Sequence, residues 1–418
     1  MIIFKNAVWF LIVKTIVVGT ILVLTVTASA QEFDLLIKNG HVVDPRNGID
    51  EVLDVAIAAG TIRVVAKDIA STRARQVIDA RSMYVCPGLI DIHTHVFVGS
   101  NPNVFADGVL SLSPDDFTFK SGVTTVVDAG TSGASSFPKF KEQVIDQSKT
   151  RILAWLNISN TGMIGSPAQD EIPAMNVDEA VEVARKYSDQ IVGIKIGHFE
   201  GSDWTPFERA IEAARITSLP LFVECHLPQY SLKDQLARMR EGDIITHTFE
   251  KVNERMPVVD DDGHVRDFVI AARDKGVLFD LGHGGAGFWF SQAVPAIKGG
   301  LPPNTFGTDL HRFSMNAGMK DMVNVMSKFM ALGMTRHEVI TRATWNAAKA
   351  IHRPDLGNLQ VGSVADVTIL SESKGLFGFV DAGGNRIEGK TKLVTELTLK
   401  DGKVMWDLNG ISAKAYKH

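Results

Sequence analysis

The sequence predicts an α/β chain: a (β/α)8 barrel of the TIM type carrying a small β-sandwich domain formed by the N- and C-terminal segments. Between residues 86 and 352, eight short apolar runs of strand character alternate with longer amphipathic stretches, the pattern of a closed parallel barrel of roughly 250 residues. Residues 31–85 and 353–418 instead carry closely spaced strands and turns. Chain ends commonly lie near one another, so these two β-rich pieces are expected to build one small domain. The polar residues able to do chemistry fall at the C-terminal tips of the apolar runs, where barrels of this kind hold their active sites.

Residues 1–30 begin with Lys5 and Lys14 around apolar stretches and end in Ala28-Ser29-Ala30 before Gln31. That is the layout of a secretory signal peptide with a small-x-small cleavage site, and it predicts a secreted or periplasmic protein with no stable membrane insertion after cleavage. The alternative is an uncleaved anchor; the run from Thr15 to Thr27 is short of the roughly 20 residues of a span, and adding residues 7 to 13 reaches that length.

FDLLIKNGHVVD, DVAIAAGTIRVVA and RQVIDARSMYVC then read as strands punctuated by Asn39-Gly40 and Gly60, as hairpin turns would be. The barrel runs are PGLIDIHTH, GVTTVVDAG, RILAWLNIS, IVGIKIG, LPLFVECH, DIITHTF, VLFDLGHG and NTFGTDLH. VDEAVEVARKYSD and TPFERAIEAARITS between them place apolar residues at three- and four-residue steps, as helices packed on a sheet do. MVNVMSKFMALGM, 322 to 334, reads as helix core. SVADVTILSE, TKLVTELTLKDG and KVMWDL return to strand character.

With 418 residues, 45% hydrophobic content and a formal net charge of −5, the chain is ordinary globular protein with no basic footprint for nucleic acid. The expected partner is a small-molecule substrate, and a homo-oligomer is compatible with the sequence. The two cysteines, Cys86 and Cys225, sit at the edges of apolar runs and are expected to be buried thiols rather than a disulfide.

The first run ends in His93 and His95, the fourth holds Lys195, the fifth ends in His226, the sixth holds His247, and the eighth carries Asp309. Singly, each such histidine is more often structural than a ligand, and a lone strand-end aspartate is usually a helix cap. Together, in eight-strand register, they form a donor set of imidazole and carboxylate without thiolate, suited to zinc or a similar ion. His93 and His95 share a strand face. Lys195, between Gly193 and Gly197 on an inward face, must be paired, neutralised or modified; carbamylation would turn its amine into a carboxylate able to bridge two ions. Two ions would hold a hydroxide between them, with Asp309 as ligand and as proton acceptor and donor.

GHGGAG, 282 to 287, matches G-x-G-x-x-G, but a dinucleotide site would need a helix opening there. It is expected to be a loop over the pocket, with His283 facing the substrate and His311 a second substrate contact. Cys225 should point away from the site, while Glu224 shares the inward face with His226 as a supporting group.

His93-Thr94-His95, Lys195, His226, His247 and Asp309 resemble the binuclear metal site of the amidohydrolase superfamily. The resemblance extends through NGHVVDPRNGIDEVLDVAI, FDLGHGGAGF, GTDLHRFS and GSVADVTIL, and is nearest to the dihydroorotase-like, deacetylase-type branch. It implies two zinc ions bridged by a carbamylated Lys195, with His93, His95 and Asp309 on the more buried ion and His226 and His247 on the other. It also implies hydrolysis of an amide or ester. Dihydroorotases usually follow the histidine pair with an arginine that grips the substrate carboxylate; here Val96 and Phe97 follow it. The expected function is therefore an exported binuclear zinc hydrolase removing an acyl or acetyl group from a small molecule. A cyclic amidase and a non-catalytic scaffold are the competing readings.

Overall fold

The computed structural model describes residues 31–252 and 255–416, and the expected signal peptide lies outside them. Seven parallel strands form one curled sheet: Leu89–Thr94, Val123–Gly133, Arg151–Asn157, Ile191–Gly197, Leu221–Glu224, Ile244–Ile245 and Leu278–Phe279, adjacent in chain order. The eighth run makes no regular strand. Residues 305–310 nevertheless close the barrel, through parallel bridges from Asp280 to Thr305 on one side and from Thr94 to Leu310 on the other. Asp309 N donates to His93 O at 2.7 Å and His95 N to Leu310 O at 2.9 Å.

The cause of this irregular closure is local. Asp309 has a φ of +53°, which breaks a ladder that requires extended backbone. Buried carboxylates supply the missing hydrogen bonds. Asp280 accepts from Thr305 Oγ1 at 2.6 Å and Gly307 N at 2.8 Å, and Asp91 accepts from Thr308 N at 2.9 Å.

The connecting helices form where periodicity places them. Val177–Lys186 is capped by Asn176, whose side chain accepts from Asp178 N and Glu179 N, and it buries Ala180, Val181 and Ala184. Thr205–Thr217 begins with Pro206 in its first turn, where a missing N–H costs nothing. Met322–Ala331, capped by Asp321, buries Met322, Val323, Val325, Met326 and Phe329. On the barrel's inner side, Trp155 stacks on Phe222 with centroids 4.8 Å apart, and Phe222 meets the His93 ring edge-on at 5.1 Å. Burial of a ring such as Phe222 stabilises the fold by about 1.5–3 kcal/mol. A Cβ at residue 193 would lie 2.3 Å from the Trp155 ring, so the room beside Lys195 at Gly193 is filled by indole.

Both chain ends join a second, eight-stranded sheet, in the order Lys403–Asp407, Arg386–Lys400, Val367–Val380, Tyr84–Pro87, Phe33–Asp44, Ile49–Ala58, Thr61–Ala66, with Ala74–Asp79 also paired to Phe33–Asp44. Ile62 near one end of that order and Leu399 near the other share one apolar core, so this sheet curls rather than lying flat. The tip of the long Val367–Val380/Arg386–Lys400 hairpin reaches the barrel, where Ala382 N donates to Phe288 O at 2.9 Å.

Candidate metal centre

The structure gathers His93, His95, Lys195, His226, His247 and Asp309 at the C-terminal end of the barrel strands, around one further carboxylate, Glu224. His95 Nε2 and His93 Nε2 lie 3.1 and 3.5 Å from Asp309 Oδ1. His247 Nε2 and His226 Nε2 lie 2.9 and 3.3 Å from Glu224 Oε1. Lys195 is wholly buried, and its amine donates to Glu224 Oε2. Two sets, His93 with His95 and Asp309, and His93 with Glu224 and His247, each bring their donor atoms within 4.8 Å of one another.

The tautomers follow from the partners behind each ring. Thr246 Oγ1 donates to Asp280 Oδ2 at 2.8 Å, so the contact at 3.0 Å between His93 Nδ1 and Thr246 Oγ1 is a donation from the imidazole. His93 Nε2 is then a lone pair, buried and without a hydrogen-bond partner, facing Asp309 Oδ1 and Glu224 Oε2 at 3.5 and 3.7 Å. His226 Nδ1 donates to Glu250 Oε2 at 2.7 Å, which orients the ring with its Nε2 toward Glu224. Burial pushes His95 down to about 3, against the opposite pull of Asp309, so it too is neutral. Lone pairs converging on carboxylate oxygens repel unless a cation lies among them. The donor set therefore fits a metal, and its imidazole–carboxylate chemistry fits zinc.

Burial alone would raise both carboxyl groups, but neighbouring cationic and imidazole groups reverse it. His198 and Lys195 hold Glu224 well below the usual carboxylate range, and His311 and His93 do the same for Asp309. Burial pushes the Cys225 thiol up to about 12; Cys86 and Cys225 are both free and buried, and Cys225 belongs to the apolar core.

The glycine loop floors the site. The helix Phe290–Lys298 does open after it, but a Cβ at Gly287 would lie 2.1 Å from His247 Nδ1, so the glycine admits an imidazole rather than a phosphate. His283 corrects an expectation. It is completely buried, its Nδ1 lies 3.0 Å from Gly284 O, and Lys328 Nζ stands 2.5 Å from its Nε2. Both ring nitrogens are spent on structure, and the side chain does not face the pocket. His311 does: it lines a cavity of about 420 Å³ together with His198, Glu224, His226, His247 and Asp309, and its Nε2 stands 3.6 Å from Asp309 Oδ2.

Sequence reasoning missed His198, whose Nε2 lies 2.9 Å from Glu224 Oε1. His198, His247 and Asp309 have φ of +56°, +54° and +53°. Left-handed backbone at non-glycine residues is strain that clusters at working sites. The available signal was position: His198 directly follows the strand that carries Lys195.

Thr246→Val removes the hydroxyl that fixes His93. Metal affinity should fall about 10–100-fold, the usual effect of losing such an outer partner. Competition with a chelator measures it; unchanged affinity would dismiss the orienting role.

No protein-family model matches the chain. A curated protein named deacetylase, from Brucella anthropi, is 32% identical over 343 residues, covering 80% of this chain and 81% of its own. A solved structure described as an adenine deaminase superposes with a TM-score of 0.82 at 29% identity, covering 90% of this chain and 100% of its own. Another, described as a dihydroorotase, gives 0.79 at 28% identity, covering 88% and 98%.

Proposed function

The chain belongs to the amidohydrolase superfamily, and on that footing we propose that it is an exported binuclear zinc hydrolase that removes an acyl group, such as acetyl, from a small amide or ester. The observation that carries this reading is the buried, unpartnered Nε2 of His93 facing Asp309 and Glu224. His93, His95 and Asp309 would hold one ion, and His226 and His247 the other, and Lys195, as its carbamate, would supply a further oxygen donor. When bound, the ions supply an activated water and polarise the scissile carbonyl.

The side chains do the rest. Asp309 turns Oδ1 to His93 and His95 and leaves Oδ2 toward His311. Oδ2 is thus placed to take a proton from the attacking water and return it to the leaving nitrogen or oxygen. His198 and His226 line both the main cavity and an adjoining one of about 310 Å³, whose wall includes Phe105, Leu110, Met163 and Phe199. That chamber suits the apolar portion of a substrate. Export belongs to this reading through residues 1–30; among the described residues no helix is long and apolar enough to cross a membrane.

Ring opening is the second reading, because the same donor set serves cyclic amides. Val96 and Phe97 are completely buried, and no arginine is among the described residues lining either cavity. A substrate carboxylate therefore lacks the grip expected of a dihydroorotase. A panel of N-acetyl amino acids, acetyl esters and cyclic ureides tests the order. Deacylation is expected to dominate; ring opening without deacylation would reverse it.

A further inference from the structure

The fifth barrel strand ends at Glu224, not at His226. Glu224 is register partner to Gly197, at the end of the strand that carries Lys195. It is the most enclosed acid of the pocket, with a side chain 3% exposed, whereas His226 lies two residues beyond the strand at 17% and is tied back to Glu250. Its two oxygens face different ways. Oε1 sits 2.9 Å from His247 Nε2 and 3.3 Å from His226 Nε2, while Oε2 is turned to Lys195 and to His93 Nε2 at 3.7 Å. A carboxylate that only held histidines in place would accept from their N–H groups. The partner behind His93 instead fixes an Nε2 lone pair toward Glu224 Oε2, while Nε2 of His198, His226 and His247 all converge on Oε1, at 2.9, 3.3 and 2.9 Å. A buried lone pair facing a carboxylate, with three more imidazoles crowded on the other oxygen of the same group, is an arrangement that a cation at the carboxylate stabilises.

We propose that Glu224 is a direct metal ligand, supplying a carboxylate oxygen to the ion position at His247. The assignment rests on the two-ion reading above and adds a donor that the superfamily resemblance left out. It also improves the charge balance. With Glu224, the side chains facing the proposed ions include two buried carboxylates, Glu224 and Asp309; without it there is one. Buried charge is tolerated in proportion to such pairing.

The test compares zinc stoichiometry and the visible ligand-field spectrum of the cobalt-substituted protein in wild type, Glu224→Gln and Glu224→His. Wild type should hold two ions per chain. Glu224→Gln should hold one, with the cobalt bands of the second position lost. Glu224→His should regain the second ion with a shifted spectrum, because imidazole is a ligand but carries no negative charge. Two ions at unchanged affinity in Glu224→Gln would overturn the proposal. So would Glu224→His behaving like Glu224→Gln, which would mean that charge rather than ligation matters. A wild-type chain holding one ion would overturn the two-ion reading itself, and this assignment with it. Thermal unfolding of each metal-free variant separates loss of a ligand from loss of the fold: a Glu224→Gln chain unfolded under the assay conditions counts against the proposal unless Glu224→His, folded, restores the second ion.

Discussion

Asp309→Asn is expected to lower kcat by roughly 10²–10⁴-fold, the range for removal of a positioned acid–base group, with a much smaller change in KM. The amide keeps the shape of the side chain and an oxygen toward His93 and His95. It cannot take up the proton that Oδ2, beside His311 at 3.6 Å, is placed to receive. Loss confined to turnover would locate Asp309 in the chemical step rather than in substrate binding. The measurement is steady-state kinetics on the best acyl substrate, with metal content determined on the same samples. Wild-type turnover in a fully loaded variant would remove the proton-carrying role.

Lys195→Ala should have the second large effect. Lys195 is completely buried among Phe222, Glu224 and the strand glycines, and solvent cannot substitute for its head group. Truncation should release metal and lower kcat by at least about 10²-fold, since a displacement of about 1 Å in a reacting group costs that much. Acetate or propionate should restore part of both metal content and rate, by occupying the space the side chain leaves. That recovery distinguishes a lost bridge from a damaged barrel, because a misfolded chain would not respond to a small carboxylate. A Lys195→Ala chain with normal metal and rate would deny Lys195 any place at the metal centre.

The order of strands and helices was legible because it is written in periodicity. Seven of the eight apolar runs contain regular strands in the expected order, and the two β-rich ends do meet in one sheet. The eighth run was read as a strand because NTFGTDLH is apolar enough to be one. Its irregularity depends on the left-handed backbone at Asp309 and on carboxylates from Asp91 and Asp280, residues far away in sequence. The gathering of histidines, lysine and aspartate was visible as a pattern of strand tips. Alternation alone put Glu224 and His226 on one face, but it cannot say where a strand stops, and the strand stops at Glu224. His283 was misread for a related reason. Its flanking glycines resemble a substrate loop, and nothing nearby announces that Lys328, 45 residues on, will occupy its Nε2.

The most direct measurement is a crystal structure of the chain as purified, with anomalous scattering recorded on both sides of the zinc absorption edge. Two peaks are expected at the barrel mouth, one among His93, His95 and Asp309 and the other beside His247. A structure with no anomalous peak there, and with the Nε2 of His93 hydrogen-bonded to water or to protein, would contradict the account.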